Sequence, residues 1–173
     1  MNILASTATT AEQRPATYAA PSSTAPAANA APVAATRVLL FALGEQVYGC
    51  DIATVREIIP QRRTTRLPGA PEFVCGLINL RGTIVTVIDL GKRLERSAGA
   101  KPDGSYIMIE IGNKLVGIAV DDVMDVRALT ENEIEAATAD QTRGGVVRGM
   151  GRLGDERMVV LLDVITLARQ VLL

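Results

Sequence analysis

The chain contains an internal repeat, and this repeat limits the folds available to it more than any other feature of the sequence. Gly44–Gly49 (GEQVYG) is matched by Gly112–Gly117 (GNKLVG), displaced by 68 residues. Apolar residues follow both segments at the same displacement. These are Ile52, Val55 and Ile58 after the first, and Val120, Val123 and Val126 after the second. The sequence therefore predicts two similar structural units.

The ends of the two units also correspond. Ile84–Leu90 resembles Met158–Val164, displaced by 74 residues. Each unit is about 65 residues long and is built from short β-branched and aliphatic runs, which favour antiparallel strands. Because closing a small sheet hides its strand edges, we expect two closed or nearly closed barrels. Neither barrel would bury a large core alone, so we also expect an apolar interface between them.

Glycine-containing turns separate several of the predicted strands, as in β-hairpins. These turns are Gly44-Glu45, Arg81-Gly82, Gly112-Asn113 and Gly154-Asp155. The predicted strands are Val38–Leu43, Gln46–Cys50, Glu57–Pro60, Leu77–Arg81, Thr83–Asp89, Tyr106–Ile111, Lys114–Val120, Asp125–Ala128, Val146–Arg152 and Arg157–Leu162. Val164–Leu173 has the apolar spacing of a short amphipathic helix. We therefore predict an all-β fold with short helices, one of them at the C-terminus.

The first 36 residues differ from the rest in composition. They consist mainly of Ala, Pro, Ser and Thr, and four prolines interrupt any helix that the alanines could start: Pro15, Pro21, Pro26 and Pro32. Their few large apolar side chains cannot offset the entropy lost on ordering. We predict a disordered tail over residues 1–36 and one domain over residues 37–173.

Charge and hydropathy argue against two classes of partner. Eighteen basic and nineteen acidic side chains nearly cancel, which leaves no strong field of one sign to attract nucleic acid or an anionic membrane. The sequence has no run of about 18 apolar residues that could span a bilayer. Met1–Ala5 lacks the positive start and apolar stretch of a secretory signal. We expect a cytoplasmic protein that does not insert into a membrane.

The sequence offers few residues for catalytic or metal chemistry. It has no histidine, and its two cysteines, Cys50 and Cys75, lie in apolar runs without a CxxC spacing. Ser/His/Asp, GxxxxGK[ST] and HExxH patterns are also missing. We predict that the protein is not an enzyme and holds neither a metal ion nor a cofactor.

Two motifs imitate nucleotide and phosphate sites. Gly149–Gly154 has the glycine spacing of a dinucleotide-binding loop, but it leads into Met158–Leu162, which is predicted as a strand and not as the required helix. Asp121, Asp122 and Asp163 follow apolar runs, as acidic residues do in a response-regulator receiver, but only ten residues follow Asp163. We interpret the first motif as part of a hairpin, and Asp121 and Asp122 as caps of a turn or short helix.

Two polar clusters are interpreted as surface features. Arg62, Arg63 and Arg66 form a basic cluster without the aromatic residues that stack nucleic-acid bases. We interpret it as a solvated loop, with a specific contact as the alternative. Thr130 and Glu133 have the spacing of a capping box, so a short helix is predicted to begin there.

The segment Gly76–Leu90 resembles the signature of the CheW domain family, a G-x-x-N-L-R-G turn followed by an apolar strand that ends in Asp-Leu. Other segments resemble the family pattern in the same order: Phe41–Gly44, Tyr48–Ile52, Val55–Pro60, Val116–Asp121 and Gly151–Asp155. Thr86 departs from this pattern because the family often has proline there, although a β-branched residue also suits a strand. The resemblance covers about Arg37 to Leu173.

The resemblance implies one CheW-like domain made of two interlocked five-stranded SH3-like barrels. It also implies an adaptor for chemotaxis signalling that catalyses nothing. Such proteins bind the cytoplasmic tip of a chemoreceptor (a methyl-accepting chemotaxis protein) and the regulatory domain of the histidine kinase CheA, in arrays at the membrane. One alternative is a CheW-like scaffold of another chemosensory pathway, such as twitching motility. A remote alternative is an SH3-like barrel that binds a small ligand or nucleic acid.

Both partner sites can be assigned to residues as hypotheses. Docking of a helix in a groove requires apolar anchors for affinity and polar groups for register. We predict a receptor site on the first barrel, formed by Val55, Glu57, Ile58, Gly76, Leu77, Asn79 and Arg81. In this site Gly76 is expected to allow close approach of the partner helix, and Arg81 is expected to pair with Glu57. We predict a kinase site on the second barrel, formed by Val146, Val147, Arg148, Met150, Arg152 and Leu153.

Overall fold

A computed structural model describes residues 35–95, 101–154 and 157–172. Within these ranges the chain forms eleven strands, two α-helices and two short 3-10 helices. The strands are β1 Ala35–Leu43, β2 Gln46–Asp51, β3 Val55–Pro60, β4 Val74–Leu80, β5 Thr83–Asp89, β6 Ser105–Ile111, β7 Lys114–Val120, β8 Asp122–Thr130, β9 Ile134–Ala136, β10 Val147–Leu153 and β11 Arg157–Leu162. The α-helices are α1 Leu90–Arg93 and α2 Val164–Leu172, and the 3-10 helices are Ile52–Thr54 and Glu131–Glu133.

The sequence pattern located the strands well. Each of the ten predicted strands is present, and the C-terminal helix is confirmed as α2. The prediction missed two short elements, β9 and α1. The predicted tail lies almost entirely outside the described residues, but β1 begins at Ala35, two residues before the predicted domain boundary.

The two halves of the repeat exchange strands. We call residues 35–95 the first half and residues 101–172 the second half. The five-stranded sheet has the order β3-β6-β7-β5-β4, so the β6–β7 hairpin of the second half lies among three strands of the first. The six-stranded sheet has the order β8-β1-β2-β11-β10-β9, so the β1–β2 hairpin of the first half lies among strands of the second. Each sheet therefore needs both halves to form.

The exchange follows the repeat residue by residue. In the six-stranded sheet Tyr48 pairs with Val160, and in the five-stranded sheet Val116 pairs with Thr86. These positions are related by the displacements of 68 and 74 residues found in the sequence. Both pairings are parallel, whereas the sequence predicted antiparallel strands. The antiparallel β1–β8 and β3–β6 pairings also correspond, including a register shift at the equivalent place in each.

Apolar side chains form three cores. One core lies inside each sheet: Val85, Val87 and Met108 belong to the core of the five-stranded sheet, and Val159 and Leu161 to the core of the six-stranded sheet. The third and largest core takes residues from both sheets and from both α-helices, and we call it the shared core. It includes Phe41, Ile88, Ile109, Val116, Leu162 and Leu167. The apolar interface expected from the small size of each unit is therefore present.

Within the described residues, no helix is long and apolar enough to span a membrane.

Candidate protein-docking site

Arg81 and Glu57 form the ion pair expected from the sequence. Arg81 Nη1 donates to Glu57 Oε1 over 3.2 Å, and Nη2 donates to Oε2 over 3.1 Å. Glu57 lies on β3 and Arg81 follows β4, and these are the two outer strands of the five-stranded sheet. The pair therefore joins opposite edges of this sheet. The Arg81 side chain is 77% exposed, so its charge remains open to a partner.

The turn after β4 fixes the position of Arg81. Arg81 and Gly82 both have positive φ, 52° and 86°, as in the type I′ turn that suits a tight hairpin. Asn79 Oδ1 accepts a hydrogen bond of 2.8 Å from the Gly82 backbone N–H. Asn79, which was predicted to contact the receptor, thus also holds the turn that presents Arg81.

Apolar side chains surround the ion pair on the outer face of the sheet. Ile58 is 40% exposed on β3, and Leu77 is half-buried on β4. Val55 is also half-buried, because it packs against the shared core. The most exposed apolar residue here is Ile84, at 61%, which lies directly opposite Asn79. We define the receptor-side surface as Glu57, Ile58, Leu77, Asn79, Arg81 and Ile84.

Sequence reasoning missed Ile84, although the pattern contained a usable signal. Val85 and Val87 both point into the core of the five-stranded sheet. Side chains alternate between the two faces of a strand, so Ile84 must lie on the opposite face. The continuous apolar run in β5 concealed this alternation.

The structure corrects the role predicted for Gly76. Gly76 is buried, and a Cβ atom added to it would lie 2.3 Å from the carbonyl oxygen of Thr65 in the same chain. Thr65 and Leu77 exchange two backbone hydrogen bonds of 2.8 Å beside it. Gly76 therefore makes room for the chain's own loop over residues 61–73 and not for a partner helix. Gly149 of the second half is equivalent, since a Cβ there would lie 2.3 Å from the carbonyl oxygen of Glu135.

Replacing Gly76 with alanine should destabilise the protein by about 2–3 kcal/mol, through its φ of +137° and the clash with Thr65. Gly69→Ala is a matched control in the same loop, because Gly69 also has a positive φ of +78° but has open space around it. We expect a loss of only about 1 kcal/mol for this control. Urea denaturation measures both values. Equal losses would show that the close approach to Thr65 contributes nothing.

The predicted kinase site is only partly accessible. Val146 is fully buried in the shared core, so it cannot contact a partner and the prediction for this residue is corrected. On β10, Arg148 and Arg152 are exposed and Met150 is 36% exposed. Val147 and Leu153 are half-buried, packed against the shared core and the core of the six-stranded sheet, respectively.

Met150 and Val147 line a cavity of about 530 Å³. Its apolar wall is completed by Tyr48, Leu94 and Val160, and charged groups of Glu95, Asp140 and Arg143 lie at its border. A cavity with this lining can receive an apolar side chain of a partner protein.

The other polar groups have structural roles. Burial raises the pKa of the Cys50 thiol to about 12, with the neighbouring Asp51 carboxylate adding to the effect. Burial likewise raises the pKa of Cys75, so neither thiol is activated as a nucleophile. Among the described residues no group of His, Cys, Asp or Glu is arranged to hold a metal ion.

The decoy motifs resolve into strands and caps. Residues 149–153, the first five of the dinucleotide-like motif, lie in β10, and no helix follows them as that motif requires. Asp121 accepts backbone hydrogen bonds from Gly44 and Lys101, and Asp163 accepts them from Thr166 at the start of α2. The predicted capping box is confirmed, since the carboxylate of Glu133 accepts hydrogen bonds from both the backbone N–H and the hydroxyl of Thr130. Asp155 lies outside the described residues.

Comparison with known proteins gives a consistent result. Residues 37–171 match the family described as CheW-like domain. The chain is 37% identical over 129 residues to the chemotaxis protein CheW of Klebsiella aerogenes, covering 73% of this chain and 77% of that protein. It is 32% identical over 127 residues to the chemotaxis protein CheW of Thermotoga maritima, covering 73% and 83%.

A solved structure resembles the fold as well. It is the crystal structure of the scaffolding protein TtCheW from Thermoanaerobacter tengcongensis, with a TM-score of 0.69 and 35% sequence identity. The match covers 75% of this chain and 90% of that one.

Proposed function

Because the chain belongs to the CheW-like domain family, we propose that it is a non-enzymatic scaffold that couples chemoreceptors to a CheA-type histidine kinase in chemotaxis. The observation that carries this proposal is the presence of exposed binding features on both sheets, which one shared core holds together. A scaffold requires two docking surfaces at a fixed distance and needs no reactive group. The relatives are chemotaxis proteins, so a scaffold for twitching motility is not favoured.

The receptor-side surface is proposed to bind the cytoplasmic tip of a methyl-accepting chemotaxis protein. The tip is a helical hairpin, and helices dock through apolar anchors bordered by polar groups. Ile58, Leu77 and Ile84 supply the anchors, and Arg81 supplies a charge held in place by Glu57. Through such contacts the protein would be held at membrane-bound receptor arrays on their cytoplasmic side.

The outer face of β10 is proposed to bind the regulatory domain of the kinase. Here Met150 would fill an apolar pocket of the partner, or a partner side chain would enter the cavity beside it. Arg148 and Arg152 flank Met150 at alternate positions of the strand and would fix the orientation of the complex.

Reconstitution tests the proposal directly. The purified protein is added to a receptor cytoplasmic fragment and a CheA-type kinase, and autophosphorylation of the kinase is followed. We expect the protein to raise kinase activity only when receptor and kinase are both present and to co-sediment with them. If it bound neither component, the scaffold function would be excluded.

Changing Met150 to glutamate should weaken kinase binding by about tenfold, since it places a charge at the centre of the proposed contact. Receptor binding should be unchanged because Met150 lies in the other sheet. Met124→Glu provides the control, being a comparably exposed methionine on β8. Pull-down and calorimetry with the kinase regulatory domain measure the effect. A loss of receptor binding in place of kinase binding would refute the placement.

A further inference from the structure

Residues 61–73 connect β3 to β4 and are fixed to the five-stranded sheet along their first half. The Tyr106 hydroxyl donates to the carbonyl oxygen of Arg62 over 2.8 Å, and the Thr64 hydroxyl donates to that of Cys75 over 3.0 Å. Thr65 and Leu77 add their two backbone hydrogen bonds. The loop is thus held in one position beside the receptor-side surface, and we call it the arginine loop.

Three arginines of this loop are exposed and lack a carboxylate partner. Within the part of the chain that the structure describes, no ion pair involves Arg62, Arg63 or Arg66. By contrast, Arg56 and Arg81 of the same half are both paired with glutamates. Burying or covering an unpaired arginine is costly, so these side chains are suited to meet an anionic group of a partner.

The equivalent loop of the second half shows that the repeat does not require this charge. Residues 137–146 contain one acidic side chain, Asp140, and one basic side chain, Arg143. Arg143 is used within the fold, because its Nη1 donates to the carbonyl oxygen of Leu94 over 2.8 Å. Residues 61–73 contain three arginines and the single carboxylate of Glu72. The excess positive charge is therefore specific to the half that carries the receptor-side surface.

We infer that the arginine loop is the electrostatic part of this docking surface and takes acidic side chains of the partner helix whose apolar face packs on Ile58 and Leu77. The inference rests on the proposed function and extends it by naming the chemistry of the partner. The register supports it, because the Thr65–Leu77 pairing places Arg63 and Arg66 along the edge of the strand that carries Leu77. A nucleic acid fits less well, because exposed aromatic rings for base stacking are missing from the described part of this loop.

The test compares two triple variants that change the net charge equally. In the first, Arg62, Arg63 and Arg66 are changed to glutamate; in the control, Arg148, Arg152 and Arg157 of the second half are changed to glutamate. Binding to a receptor cytoplasmic fragment is measured by calorimetry at low and high salt. We expect the loop variant to bind on the order of tenfold or more weakly at low salt and to lose the salt dependence of the wild type. The control should bind as the wild type does.

Two further measurements make the result specific. Changing the same three loop arginines to glutamine should give a smaller loss, and it serves in place of the glutamate variant if that variant does not fold. A receptor fragment whose acidic hairpin residues are changed to lysine should recover binding to the glutamate variant.

The outcomes separate the two proposals. If wild-type protein does not bind the fragment, the proposed function fails and this inference fails with it. If wild type and loop variant bind equally well with equal salt dependence, only the inference is overturned. Loss of binding to phosphatidylcholine–phosphatidylserine vesicles with receptor binding unchanged would assign the arginines to a membrane surface and also overturn it.

Discussion

An Arg81→Glu variant is expected to bind the receptor fragment on the order of a hundredfold more weakly than the wild type while remaining folded. The substitution replaces the exposed cation with an anion beside the Glu57 carboxylate. An acidic or neutral partner group would then face two like charges. Because the pair is exposed, its loss should cost the fold only about 0–1 kcal/mol. Calorimetric titration and thermal unfolding measure the two effects separately.

Arg56→Glu is the matched control for this experiment. Arg56 also lies on β3 or its surface and also forms an exposed pair with a carboxylate, that of Glu110 at 2.6 Å. Its reversal should leave receptor binding within about twofold of the wild type, as is usual for charges outside a binding site. Normal receptor binding by a folded Arg81→Glu variant would remove Arg81 from the site.

A Phe41→Ala variant is expected to lose about 3–5 kcal/mol of unfolding free energy. Phe41 is fully buried in the shared core and its ring stacks on that of Tyr48, with 6.1 Å between ring centroids. Truncation leaves a cavity that the tightly packed neighbours cannot fill completely. Urea denaturation provides the measurement. Ile84→Ala, at an exposed position, should change stability by no more than about 0.5 kcal/mol.

The same variant tests whether the exchanged strands couple the two sheets. Neither sheet can form without strands of both halves, so unfolding of Phe41→Ala should remain one cooperative transition at lower denaturant. Probes placed in the five-stranded and six-stranded sheets should report the same midpoint. Two separate transitions would contradict the idea that the shared core and strand exchange unite the molecule.

Several features of the candidate site could be predicted from local sequence. The Asn79–Gly82 turn was recognisable because positive φ at Arg81-Gly82 is typical of a tight hairpin. The pairing of Arg81 with Glu57 was also predicted and is present. By contrast, the roles of Gly76 and Val146 were not apparent. A glycine that accommodates a partner and one that accommodates its own chain have the same sequence signal, and an apolar residue next to an exposed strand shows no sign of being buried.

The sequence by itself determined the strands, the turns and the equivalence of the two halves, because these depend on side-chain alternation, glycine conformation and similarity between nearby residues. Only the tertiary structure decided that the halves exchange hairpins and that β2 and β7 pair in parallel with β11 and β5. The physical reason is that much of β2 and β7 is buried on both faces, so their apolar runs do not identify a neighbour. Which strand lies beside them is settled by packing between residues far apart in the chain, and that packing also brings Glu57 and Arg81 together.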